Sequence, residues 1–159
     1  MTIIIGDPER MLLVSDSQVS DEDSDTKSYG NQKVFRIQHP QVPDGWLGGA
    51  GDFRSIHKVV EWFNSGKKEK DKPEITSEFD ADFMLLTSEG LFVSDKELEF
   101  WKLSKIDAIG SGQAAAMGAA TYGADVEDAA WAATQVDLYS GGDVVVYSLK
   151  KAPTIYKHG

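Results

Sequence analysis

The strongest constraint on the fold is a rhythm of short apolar runs separated by turns. Thr2–Gly6 and Met11–Ser15 flank Asp7-Pro8-Glu9-Arg10, which reads as two strands and a turn. Lys33–Ile37 is strand-like, and His39–Gly45, with two prolines and a glycine, reads as a connection. Trp46–Gly51 reads as a glycine-laden strand end, where backbone must approach something closely. Asp82–Ser88 and Gly90–Ser94 form a hairpin about Glu89-Gly90. Leu98–Leu103, Ile106–Gly110, Asp143–Leu149 and Pro153–Tyr156 are further strand candidates. The polar stretch Val19–Gly30 reads as a loop.

Helical periods interrupt these strands. Asp52 suits an N-cap, and Phe53, Ile56, Val60 and Phe63 recur on one apolar face. The charged stretch Gly66–Pro73 closes that helix. Gln113–Tyr122 and Val126–Val136 are Ala-rich, with Gly123 between them, and predict two closely packed helices. Strand runs broken by helix blocks predict an α+β layered fold dominated by antiparallel sheet. No internal repeat or linker is visible, so a single domain over 1–159 is expected.

The net charge of −10 argues against nucleic acid as a partner, because phosphate binding needs a basic face. With no cysteine, disulfides and thiolate chemistry are excluded. His39, His57 and His158 lie far apart without metal-ligand spacing, so no metal or other cofactor is expected. The acidic run Asp21-Glu22-Asp23-Ser24-Asp25 lacks the glycine and glutamate of a calcium loop, with Thr26 and Gln32 at those places, and reads as solvated. No apolar stretch is long enough to span a membrane, and the N-terminus lacks the pattern of a signal peptide, so a cytoplasmic location is expected.

The chemistry centres on Thr2. Removal of Met1 would leave a hydroxyl nucleophile and an α-amine base on one residue. Such an amine titrates near pH 8, and a buried lysine nearby would lower the pKa of both groups. An aspartate would hold that lysine, and a glycine amide would stabilise the developing oxyanion. Asp16 at a strand end, Lys33 at a strand start and the Gly48-Gly49 pair are residues of the required types. Their spacing alone does not gather them around Thr2.

Six segments in order resemble the β-type proteasome subunits and the HslV peptidase, the threonine branch of the N-terminal nucleophile hydrolases. They are Thr2 with its isoleucine strand, Val14-Ser15-Asp16-Ser17, Lys33-Val34, Gly48-Gly49-Ala50-Gly51-Asp52, Ala108-Ile109-Gly110-Ser111-Gly112 and Asp137-Leu138-Tyr139-Ser140-Gly141-Gly142. The resemblance implies a four-layer αββα sandwich of two mainly antiparallel sheets. It implies Thr2 as nucleophile, Lys33 as pKa tuner, Asp16 as its orienter and the Gly48 amide as oxyanion donor. Ser111 would contact the Thr2 amine, supported by Asp137 and Ser140. A substrate pocket would be lined by Val19, Asn31, Phe35, Trp46, Ala50 and Arg54. A peptide or unfolded polypeptide is the implied substrate and a ring homo-oligomer the implied assembly, with an unfoldase ATPase as a partner the resemblance allows.

The chain departs from the family in one layer. Gly66–Phe79 is too short, charged and proline-broken for the second helix that follows the glycine segment, so that layer is expected to be thinned and ring size does not carry over. Retention of Met1 would block the Thr2 amine. The alternative reading is an unprocessed, catalytically silent protein that keeps the fold as an assembly block.

Overall fold

A computed structural model describes residues 2–21, 26–28 and 32–159. In chain order the strands are β1 (Ile4–Asp7), β2 (Leu12–Ser15), β3 (Val19–Asp21), β4 (Thr26–Ser28), β5 (Val34–His39), β6 (Val42–Gly51), β7 (Ala81–Thr87), β8 (Gly90–Ser94), β9 (Trp101–Lys102), β10 (Asp107–Ile109), β11 (Val144–Tyr147) and β12 (Thr154–Tyr156). The helices are α1 (Phe53–Asn64), α2 (Gln113–Thr121) and α3 (Val126–Val136). One sheet has the order β10-β1-β2-β11-β12 and the other β5-β6-β7-β8-β9. Every pairing among the described residues is antiparallel.

The isoleucine run explains the layering. Ile3 and Ile5 pack with Ala116, Ala129, Ala130 and Ala133 of α2 and α3, whereas Ile4 joins Val34, Met84, Leu86 and Leu91 between the sheets. A strand buried on both faces needs continuous apolar sequence rather than alternation. On the other sheet, Leu47, Phe83 and Leu85 pack beneath Ile56, Val59 and Phe63 of α1. The result is an αββα sandwich, with α2 and α3 over the first sheet and α1 alone over the second. The segment after α1 forms only a single 3-10 turn, Glu69–Asp71, so the thinned layer is present.

Four local readings change. The stretch read as a loop contains the β3–β4 pair, Val19 opposite Ser28. The proline-bearing connection is mostly strand: β6 starts at Val42, and Pro43 falls where the β5–β6 register shifts and before β7 pairing begins at Gly45, so its missing amide breaks no central ladder. Leu98–Leu103 shortens to Trp101–Lys102, because Leu98 takes a left-handed φ of 57° and turns the chain. In α1, Asp52 does cap the helix, accepting from the Ser55 amide at 2.9 Å. Its buried face runs through Ile56, Val59, Trp62 and Phe63, while Phe53 is 54% exposed and stacks edge-on against His57.

Candidate active site

Both sheets send strand ends to one rim of the sandwich. Thr2 precedes β1, Asp16 follows β2, Lys33 precedes β5, and Gly141 lies shortly before β11. Antiparallel pairing places the start of β1 beside the end of β2, with Ile4 opposite Ser15, and β11 also pairs with β2. Sequence-distant polar groups therefore meet at the edge of an apolar core.

Asp16 is the hub. Its Oδ1 accepts hydrogen bonds from the Thr2 hydroxyl, from the Ile3 amide at 3.1 Å and from Lys33 Nζ at 2.8 Å. Its Oδ2 accepts from the Gly141 amide at 2.9 Å. Thr2, Asp16 and Lys33 are all buried, with Thr2 only 2% exposed. Burial lowers the Lys33 pKa from its ordinary value, against the opposing attraction of Asp16 and, more weakly, Asp137. A buried cation of depressed pKa beside a hydroxyl is an arrangement that can ease loss of the hydroxyl proton.

A second cluster sits on the carbonyl side of Thr2. Asp137 Oδ2 accepts from the Ser111 hydroxyl at 2.7 Å and from the Ser140 hydroxyl. The Ser111 oxygen also lies 3.4 Å from the Thr2 carbonyl oxygen, to which the Gly112 amide donates at 3.2 Å. Ser111 thus touches the Thr2 carbonyl, whereas contact with the amine was expected. Gly110 is required here. It has a φ of +100°, and a Cβ at this position would lie 2.0 Å from the Thr2 carbonyl oxygen.

The geometry argues against the Gly48 amide as oxyanion donor. The Gly49 amide donates to the Lys33 carbonyl at 3.2 Å and the Asp52 amide donates to the Asp80 carbonyl at 2.9 Å. Amides alternate sides along a strand, so the Gly48 amide is turned toward β7 and into the sheet ladder. Gly48 matters instead for close packing, since a Cβ there would meet Ile4 Cδ1 at 2.9 Å.

Among the described residues of the expected pocket, Phe35 and Trp46 are not brought together. Phe35 pairs with Leu47 and packs on the α1 side, where it contacts His57. Trp46 and Ala50 belong to the core between the sheets, and the Trp46 indole donates to the Ser148 carbonyl at 2.9 Å. Strand alternation puts Phe35 and Trp46 on opposite faces of one sheet, so they cannot line one cavity. Arg54 lies over the Phe79 ring, beside a small depression it shares with Asp52 and Lys58. Val19 contributes backbone to β3, and Asn31 and Met1 lie outside the described residues. The Gly141 amide was missed by sequence reasoning, although it sits inside the Asp137–Gly142 motif; its only signal was a glycine following Ser140.

No family model matches the chain, and no curated protein matches it. Solved structures do. HslV from Trypanosoma brucei superposes with a TM-score of 0.65 at 22% identity, covering 92% of this chain and 98% of that one. BPH from Thiobacillus denitrificans, solved in complex with epoxomicin, superposes with a TM-score of 0.65 at 18% identity, covering 95% and 100%. At these identities the likeness is one of fold. The two five-stranded antiparallel sheets between helical layers give this chain the HslV-like, proteasome β-type fold of the N-terminal nucleophile hydrolases.

Proposed function

We propose that this chain is an N-terminal threonine peptidase that cleaves peptide bonds through an acyl-enzyme once Met1 is removed. The observation that carries the reading is the convergence of the Thr2 hydroxyl and Lys33 Nζ on one oxygen of buried Asp16. Thr2 Oγ1 attacks the carbonyl and its proton passes to the Thr2 amine, directly or through water. Lys33 stabilises the alkoxide electrostatically, and Asp16 positions both groups. Ser111, Asp137 and Ser140 hold the Thr2 backbone, and so its amine, in place. The oxyanion donor is assigned to the Gly49 amide, which faces the Lys33 side of β6 and must give up its 3.2 Å bond to the Lys33 carbonyl to meet substrate. Peptide or unfolded polypeptide is the substrate, and the working unit is a homo-oligomeric ring in the cytoplasm.

The test combines intact mass, labelling by epoxomicin and peptide hydrolysis. Epoxomicin is a peptide epoxyketone, whose adduct consumes a hydroxyl and an amine on the same residue. Chain beginning at Thr2 should gain the adduct mass and cleave peptides, and Thr2→Ala should do neither. Processed protein that neither labels nor cleaves overturns the reading. The burial of Thr2 favours one second reading, a silent assembly protein that retains Met1. That reading requires Met1 to persist in protein from the native source and Thr2→Ala to leave biological function intact.

A further inference from the structure

The thinned helical layer leaves a cavity of about 410 Å³ on the outer face of the second sheet, remote in sequence from Thr2. That volume lies within the range of small-ligand sites. Its walls are apolar and aromatic, from Val42, Phe63, Leu85, Phe92 and Phe100, and its polar rim includes Lys67 and Glu89.

Lys67 is held over this cavity by the end of α1. Gly66 has a φ of +97° and Lys67 itself a φ of 57°, a left-handed conformation that costs a non-glycine residue free energy. The bend closes the helix, with the Lys67 amide donating to the Trp62 carbonyl at 2.9 Å. It also carries Lys67 Nζ over three rings, at 5.7 Å from the centre of Trp62, 5.1 Å from Phe63 and 5.4 Å from Phe100. The rings lock one another edge-to-face, Trp62 on Phe63 and Phe63 on Phe100, each pair 5.6 Å apart. The Trp62 indole is further fixed by donating to the Lys68 carbonyl at 2.8 Å. Among the described residues, no carboxylate lies within ion-pair distance of Lys67 Nζ.

A cation held over the apolar walls of this cavity suits one ligand chemistry. We infer that this cavity binds a small amphipathic carboxylate, its alkyl or aryl tail among Leu85, Phe92 and Phe100 and its carboxylate on Lys67. The charge supplies a charge-assisted hydrogen bond and the tail supplies apolar burial. Glu89 on the rim disfavours ligands carrying a second negative charge.

The probe is octanoate, titrated calorimetrically into the full chain beside the neutral 1-octanol. Octanoate should bind saturably and at least about tenfold more tightly than octanol, the discrimination expected of one charge-assisted bond. Lys67→Asn tolerates the left-handed backbone and should lose about tenfold in octanoate affinity while the chain stays folded, with only the modest loss of stability expected from its ring contacts. Phe92→Trp keeps the charge and fills the cavity, and should abolish binding. Octanoate binding absent from the wild type, equal to that of octanol, or unaffected by both substitutions would overturn the inference. None of these outcomes depends on Thr2 being catalytic.

Discussion

Lys33 carries the sharpest consequence at the scale of single residues. Its folded pKa is lowered chiefly by burial, so the unfolded chain binds more protons between that lowered value and the ordinary 10.5. Stability therefore rises with pH across that window. Urea denaturation of the wild type against Lys33→Met should show the difference growing in favour of the wild type as pH increases there. A difference that falls with pH contradicts the assignment. The residue types at Thr2, Asp16 and Lys33 were legible in the sequence because their chemistry is specific. That Thr2, Lys33 and the Ile3 amide share one Asp16 oxygen was not, because it depends on the pairing of β1 with β2 and the approach of β5.

Elements set the remaining geometry through their ends. The turn from β10 into α2 passes so close to Thr2 that Gly110→Ala should destabilise the chain by about 3 kcal/mol, from backbone strain and steric overlap. It should also reduce turnover in correctly processed enzyme; denaturation and peptide hydrolysis on the same preparation measure the two effects. At the other margin of that sheet, β12 is tied to α3 by the Tyr156 hydroxyl donating to Asp128, and His158 stacks on Trp131 at 3.5 Å. This bond to a carboxylate pushes the Tyr156 pKa up to about 12. The stabilisation is fully present below the ordinary tyrosine value of 10.0 and is lost as pH rises through 12. Ultraviolet titration should find two tyrosines ionising late, Tyr147 held up by burial and Tyr156 by Asp128, and Asp128→Asn should return only Tyr156 to the ordinary range. Helix α1 shows why element faces are harder to read than element types. Its apolar period was visible, but which side is buried depends on where Leu47 and Phe83 lie beneath it, and Phe53 was left outside.

At the scale of the whole molecule, two sheets share an apolar core built from Ile4, Leu13, Met84, Leu86 and Leu91, and the catalytic candidates sit at one rim of it. Helical cover is uneven, with two helices over the first sheet and one over the second, and the uneven side carries the Lys67 cavity. The ring proposed for the working enzyme predicts a solution mass several times the 17.4 kDa chain. Sedimentation equilibrium on processed protein tests this, and a strict monomer would remove the ring from the proposed function.

The sequence by itself determined the three helices and most of the strands, that the layers combine helices with antiparallel sheet, and which residue types could support threonine chemistry. These follow from local propensity, periodicity and side-chain chemistry, which act over a few residues. Tertiary structure alone decided that Asp16 gathers Thr2, Lys33 and Gly141, that the Gly48 amide is turned into the ladder, and that Phe35 and Trp46 face opposite ways. Each of these depends on strand register and alternation between segments far apart in the chain. A one-residue change in register reverses which face or which amide meets the site.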